Sequence, residues 1–536
     1  MTAQTSIRPY LKQAYLIGLL MVAVGLTLSP FVMGMSQFWL VFVWIVDGIV
    51  AKDFKAKFSH FWHSKAAVLL VAFYLMHVVG LLWTSDFQYA LKDLRVKLPI
   101  LVMPFVLSSM EPLDRKRFNL VMLVYVLSVF VATQVSFVSY LRHDYGDIRE
   151  ISHFISHIRF CLNIVFSMAI VGYYIVKMRV SRGQGVPTFG VKTAVNQFLM
   201  WFLLFWFAYQ IYIFESLSGY VILAAVAIVS IVYAFLRWQK GRGWRIAIAV
   251  VALAIVVAGC LVIWHEVKPL LKVEPVDFAT LEQKTAQGND YWHDTVHNPI
   301  EDGKYVGLYY CRKELQEAWP QRSALAMNDT IESTLSRYLT SKGLRKDARG
   351  VMALSDEDVR NVEQGVANYN NWQHPGLRAR LSSTLFEYGL YRKYNNPNGG
   401  SLSQRIEFTR ASFYLIARHP WFGVGTGDVP QAFSQAYDEI HSPLAEEYRF
   451  RAHNQYLAIA VAFGIVGLAF FLFVLLYPWF ASRKNHTYLY LAFLTVMLLS
   501  MFPEDTLETQ AGTMLFAFFT ALLLFAAPQK SMDNNQ

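Results

Sequence analysis

The chain alternates long apolar runs with short polar stretches, and one long polar segment, residues 265–452, interrupts the alternation. A helix of about 20 apolar residues, rising 1.5 Å per residue, crosses a hydrocarbon core of roughly 30 Å. Twelve candidate runs stand out: 13–33, 36–50, 66–84, 97–110, 118–140, 158–176, 196–214, 217–236, 244–264, 454–480, 487–503 and 510–527. The second and fourth are short and carry Asp47 and the pair Pro99 and Pro104. The first lacks a small-residue cleavage site, so it reads as a retained helix, not a signal peptide. The pattern predicts an all-α polytopic membrane protein with about twelve transmembrane helices. Residues 1–264 hold helices one to nine, 265–452 form a large loop domain, and 453–536 hold the last three.

Within the loop the polar pattern is mainly helical. Asn328 or Asp329 can cap a helix ending near Gly343, and Ser355 with Asp358 has the spacing of a capping box. The stretch Asn395-Asn396-Pro397-Asn398-Gly399-Gly400 is a turn, and a helix from about Ser403 stops before Pro420. Neither a repeat nor an independent enzyme signature is present. Cys161 and Cys260, in apolar runs, and Cys311, in the loop, give no disulfide framework.

Composition fits this class. Of 536 residues 55% are hydrophobic, 15% aromatic and only 16% charged, with a mean hydropathy of +0.32, which excludes a soluble globular protein. Basic residues then orient the chain. One set of alternate polar stretches holds Arg8 and Lys12; Lys52, Lys55, Lys57 and Lys65; Arg115, Lys116 and Arg117. It continues with Lys177, Arg179, Arg182 and Lys192; Arg237, Lys240, Arg242 and Arg245; Arg483 and Lys484; and Lys530. The opposite set is sparse, chiefly Lys92, Arg95, Arg142 and Arg149. Both termini are therefore expected in the cytoplasm and the loop outside. The net charge of +10 is spread between spans and not gathered on one surface, so no nucleic-acid partner is expected.

Three motifs invite functional readings and fail on context. Gly423-Val424-Gly425-Thr426-Gly427 has no preceding strand or βαβ unit, so it reads as a flexible turn returning to the membrane. Asp356-Glu357-Asp358 follows Ser355 at a helix start, where acids favour the helix dipole over a metal. His153 and His157 at i, i+4 share a helix face but lack a third ligand. What remains is one histidine and several cations on the outer side. Arg159 opens the sixth span, Arg405 opens the helix leading to His419-Pro420-Trp421-Phe422-Gly423, and Arg451 and His453 precede the tenth span. Glu504, Asp505 and Glu508 lie between the last two. Each arginine alone could snorkel or pair with those acids. Together, guanidiniums suit a diphosphate, and an imidazole takes a proton near neutral pH.

The order His453-Asn454, nine residues, Gly464, two residues, Gly467 resembles the signature of the O-antigen ligase and O-antigen polymerase superfamily of bacterial inner membranes. Arg405-Ile406-Glu407 with His419 to Gly425, and the Ser216-Leu217-Ser218-Gly219 turn, are also similar to that family. The resemblance covers the topology as a whole, with its motifs in 400–470, while the insert at 265–400 departs from shorter-looped members. It implies glycosyl transfer on the periplasmic face, from a glycan on undecaprenyl diphosphate to a lipid A-core hydroxyl, amid membrane lipid. By that resemblance His453 is the general base and Arg405 and Arg159, with Arg451, bind the diphosphate, without metal or cofactor. Asn454 either orients the imidazole or caps a helix, Gly464 and Gly467 serve close helix packing, and Glu504 supports the site. A polymerase and a protein O-oligosaccharyltransferase share this chemistry. A transporter is the alternative from another class, although nine spans before the loop and three after it do not divide into two similar halves.

Overall fold

The structure, a computed structural model, describes residues 2–142, 148–180, 193–237, 242–481 and 487–528. Among the orienting basic residues, Arg182, Lys192, Lys240, Arg483, Lys484 and Lys530 lie outside the described residues. The first part is a helical bundle: α1 (Thr2–Leu28), α2 (Pro30–Ala51), α3 (Phe54–His63), α4 (Lys65–Val79) and α5 (Phe87–Ser109). It continues through α6 (Arg115–Arg142), α7 (His157–Val180), α8 (Thr193–Ile213), α9 (Leu217–Arg237) and α10 (Arg242–Leu270). The loop domain adds α11 (Arg312–Ala318), α12 (Asp329–Ser341), α13 (Ala348–Met352) and α14 (Asp356–Glu363). Then come α15 (Tyr369–Gln373), α16 (Leu377–Tyr394), α17 (Ser401–Arg418) and α18 (Val429–Glu439). The chain returns through α19 (Gln455–Ala481), α20 (Tyr488–Ser500) and α21 (Gln510–Ala521). Among the described residues the one sheet is a two-residue hairpin pairing Ile300–Glu301 with Lys304–Tyr305. The protein is an all-α polytopic membrane protein.

Nine of these helices are long and apolar enough to cross a membrane. Helices α20 and α21 are shorter apolar helices, and the fourth expected run falls within α5, which carries four charges and is not among the nine. Two boundaries differ from expectation. The first two spans divide at Ser29, whose hydroxyl accepts from Val32 N at 3.3 Å with Pro30 at the first helical position, so α2 is a full-length helix. Helix α5 begins at Phe87, capped by Asp86, and not at residue 97. It carries Lys92, Asp93, Arg95 and Lys97 inside the helix, and Pro99 and Pro104 do not end it.

The loop domain has two parts. Helices α11 to α14 enclose a core of Trp319, Leu335, Tyr338, Leu339, Val351 and Val362. The starts of α12 and α14 are capped as the sequence suggests: Asn328 accepts from Ile331 N, and Ser355 with Asp358 forms the full capping box. Helices α17 and α18 instead contribute Phe408, Leu415, Phe433 and Tyr437 to the same apolar core as the membrane helices. Between the parts, Gly376 (φ +126°) is pressed on the Tyr212 ring, and the Tyr212 hydroxyl donates to Pro375 O at 2.9 Å.

One element seats the loop domain in the bundle. Helix α19 is broken at Gly464, whose φ of +65° lies in the left-handed region. The glycine-rich segment after α17 fills the break: Val424 N donates to Val461 O and Gly425 N to Ala462 O, both at 2.9 Å, and Ile465 N donates to Pro420 O at 2.8 Å. Thr426 Oγ1 donates to His77 O at 2.7 Å, and Asp428 accepts from Ser85 N and Asp86 N at 2.8–2.9 Å. The expected flexible turn is thus a docked strap. Backbone groups freed by a break in a membrane helix need partners, and the strap supplies them. Gly464 accordingly serves the break: a Cβ there would lie 2.3 Å from Trp421 C.

Candidate active site

The site is built at the loop-domain end of the bundle, around the turn between α20 and α21. Buried Gln455, the first residue of α19, holds that turn: its Oε1 accepts from Leu507 N at 2.6 Å and its Nε2 donates to Glu508 at 3.2 Å. Asn454 caps the helix, with Oδ1 accepting from Leu457 N at 3.0 Å. His453, immediately before it, has a φ of +44°, a conformation that non-glycine residues adopt only when their surroundings impose it. Its ring stacks on Phe408 of α17, centroids 5.3 Å apart at 24°, with Phe450 edge-on at 6.1 Å.

Glu504 is the hub. Its carboxylate receives Arg405 Nη2 at 3.1 Å, Arg159 Nη2 at 3.8 Å and His453 Nδ1 at 3.9 Å. Three expected residues from α7, α17 and the start of α19 therefore meet on one acid. Arg159 also donates to Ser156 Oγ at 2.9 Å, and the start of α7 is fixed by His157 Nε2, 2.5 Å from Phe214 O. Ser216 caps α9 in the adjacent turn, accepting from Gly219 N at 3.1 Å. His153 lies in the irregular segment before α7, so it shares no helix face with His157 and the expected histidine pair is not formed.

Arg451 is directed elsewhere. It donates to Glu508 at 3.1 Å and Tyr89 Oη at 2.8 Å, with Asp505 at 3.5 Å. Beneath it lies an ionic network that sequence reasoning missed. Lys97 is buried and donates to Asp93 at 2.5 Å and Glu508 at 2.8 Å. The signal available was the acid–base pair Asp93/Lys97 at i, i+4, which straddles the start expected for the fourth span, at residue 97, and lies wholly inside α5.

Electrostatically the two layers differ. Around Glu504, two guanidiniums face one carboxylate, with Asp505 close by, and Arg159 Nε and Arg405 Nε are buried without a hydrogen-bond partner. Burial pushes the Glu504 carboxyl up, but His453, Arg405 and Arg159 outweigh it and hold it below the usual carboxylate range. For Asp505 burial prevails over Arg451 and His453, and its affinity for a proton is raised. His453, Glu504 and Asp505 have ligand atoms within 4.8 Å of one another, the one such group among the described residues. Arg405, Arg159 and Arg451 pair with the carboxylates of this group and with Glu508, so cationic and acidic side chains alternate around it.

A helical membrane protein whose histidine and arginines converge at one end defines a class: a polytopic membrane protein with an ionisable cluster at its loop-domain end. Residues 377–472, from α16 through the broken α19, match the family described as O-Antigen ligase, which bears out the resemblance to that superfamily. No curated protein matches the chain. The matched segment contains Arg405, the strap, His453 and both glycines, and it supports a ligase- or polymerase-type glycan transfer.

Proposed function

We propose that the protein is an O-antigen ligase-like glycosyltransferase of the bacterial inner membrane, with both termini cytoplasmic and the loop domain in the periplasm. The donor is a glycan on undecaprenyl diphosphate and the acceptor a hydroxyl of lipid A-core. His453 accepts the hydroxyl proton as the oxygen attacks the anomeric carbon. The new C–O bond forms as the bond from that carbon to the phosphate oxygen breaks, and undecaprenyl diphosphate leaves with the electron pair. Arg405 and Arg159 hold the diphosphate and stabilise the charge that develops on it. Fixed guanidiniums fill the role a divalent metal plays elsewhere, so transfer proceeds without metal.

The observation that carries this reading is the grouping of His453, Arg405 and Arg159 on Glu504, with a buried Nε left unpaired on each arginine. Phe408 and Glu504 hold the ring in place while its side chain remains about one-third exposed, open to a substrate. The test is genetic and chemical together. A deletion strain should accumulate full-length glycan on the carrier lipid and lack it on lipopolysaccharide. Accumulation of single repeats would instead indicate a polymerase, and unaltered lipopolysaccharide with unmodified protein a protein transferase.

A further inference from the structure

A cleft of about 820 Å³ opens where the loop domain meets the bundle. Tyr140, at the end of α6, and Glu215, in the turn after α8, form the membrane wall. The insert supplies the opposite wall through Trp372, Arg380, Glu387 and Asn398. The volume sits in the upper part of the roughly 300–1,000 Å³ range of small-molecule sites.

The walls are set by their own contacts. Arg380 donates to Ser401 Oγ at 3.0 Å, Ser401 N donates to Glu387 at 2.9 Å, and Asn398 Oδ1 accepts from Ala445 N at 3.0 Å. Arg337 lies on the Phe386 ring, 4.3 Å from its centroid, with its fork on Glu301 at 2.7 and 2.9 Å. Cations in the lining are matched by acids, Arg149, Arg337 and Arg380 against Glu215, Glu357 and Glu387, so the cleft does not select a phosphate. Aromatic faces beside amides and carboxylates suit a pyranose instead. Its C–H face lies against a ring, while its hydroxyls exchange donors and acceptors with the polar groups.

The cleft also leads to the chemistry. Gly400 lines it and Ser401 opens α17, which places Arg405 about 7.5 Å further along the helix axis at 1.5 Å per residue. We propose that this cleft is an oligosaccharide subsite, holding the sugars that extend beyond the reacting residue, with Trp372 as its stacking platform. The proposal rests on the glycosyl-transfer reading and adds a role for the insert that separates this chain from shorter-looped relatives. The glycan belongs either to the donor or to the acceptor, and the two sources are separable.

The full-length protein in detergent is titrated with two lipid-free probes, a fragment of the cell's long glycan and its core oligosaccharide, followed by saturation-transfer NMR. One probe should bind wild type, and Trp372→Ala should weaken that binding about tenfold, as loss of an aromatic anchor does. Trp372→Phe, which keeps a ring, should restore most of it and guards against simple unfolding. In transfer assays Trp372→Ala should raise KM for the long substrate and leave kcat and the KM of a truncated substrate unchanged. Absence of binding by either probe to a wild type that still transfers glycan overturns the subsite. So does equal binding by wild type and Trp372→Ala. Trp372-dependent binding by a protein that transfers nothing would uphold the subsite and sink the transferase reading.

Discussion

At the residue scale the site is a division of labour around Glu504. The carboxylate sets Arg405 and Arg159 and restrains one edge of the His453 ring, while the Nε of each arginine lacks a protein partner. Replacing Arg405 with lysine keeps the charge but loses the planar fork, so transfer should fall at least about tenfold, the scale of one bidentate hydrogen bond. Activity within twofold of wild type in a membrane transfer assay would argue against diphosphate binding by Arg405. These residues were legible because each is a charge or imidazole at the edge of an apolar run, where it is expensive unless used. Their pairing with Glu504 was less legible, since separate spans carry them and only packing brings them together. Lys97 and Asp93 were missed for a related reason: a span started at residue 97 leaves Asp93 outside it, so the i, i+4 pair is not seen on one helix.

At the element scale two features carry the arrangement. The break in α19 exists because Gly464 takes a left-handed conformation and the strap from Pro420 to Asp428 satisfies the freed backbone. A Gly464→Ala protein must place a Cβ against Trp421 in that conformation, and should lose at least about 1–2 kcal/mol from backbone strain alone. Thermal unfolding of the purified protein measures this, and an unchanged midpoint would mean that the strap is not what holds the break. The sequence motif gave the glycine positions, but their reading as close helix packing assumed a continuous helix; nothing local reveals a break whose partner lies forty residues upstream. Lys97 is the second feature. Lys97→Met leaves Asp93 and Glu508 facing each other in a buried setting and should destabilise the protein by about 3–5 kcal/mol, as breaking buried ion pairs does. A loss below about 1 kcal/mol in the same assay, the level of exposed pairs, would show the network to be dispensable.

At the scale of the whole molecule the loop domain docks on the bundle through the strap and forms one wall of the cleft, and its stability has its own pH dependence. Lys346 is buried and donates to Leu308 O at 2.8 Å, and burial lowers its affinity for a proton to about 7. Between that value and the ordinary lysine value of roughly 10.4, the folded state binds fewer protons than the unfolded state. Stability should therefore rise with pH across that window, and Lys346→Met should flatten the rise in thermal unfolding of the full-length protein. A slope unchanged by the substitution would exclude Lys346 as its source. Spans, loop and caps were readable from periodicity and capping residues; how the loop docks was not, because it depends on Gly376 meeting Tyr212 and on the strap entering α19. The central claim is that His453 and the guanidiniums on Glu504 perform transfer without metal. Its most direct test is the rate of glycan transfer by purified protein from lipid-linked donor to lipid A-core in the presence of EDTA. Wild type should be unaffected by the chelator, and folded His453→Ala should be slower by about 10²–10⁴-fold, the usual contribution of a positioned base. Loss of wild-type activity in EDTA, or full activity in His453→Ala, would contradict it.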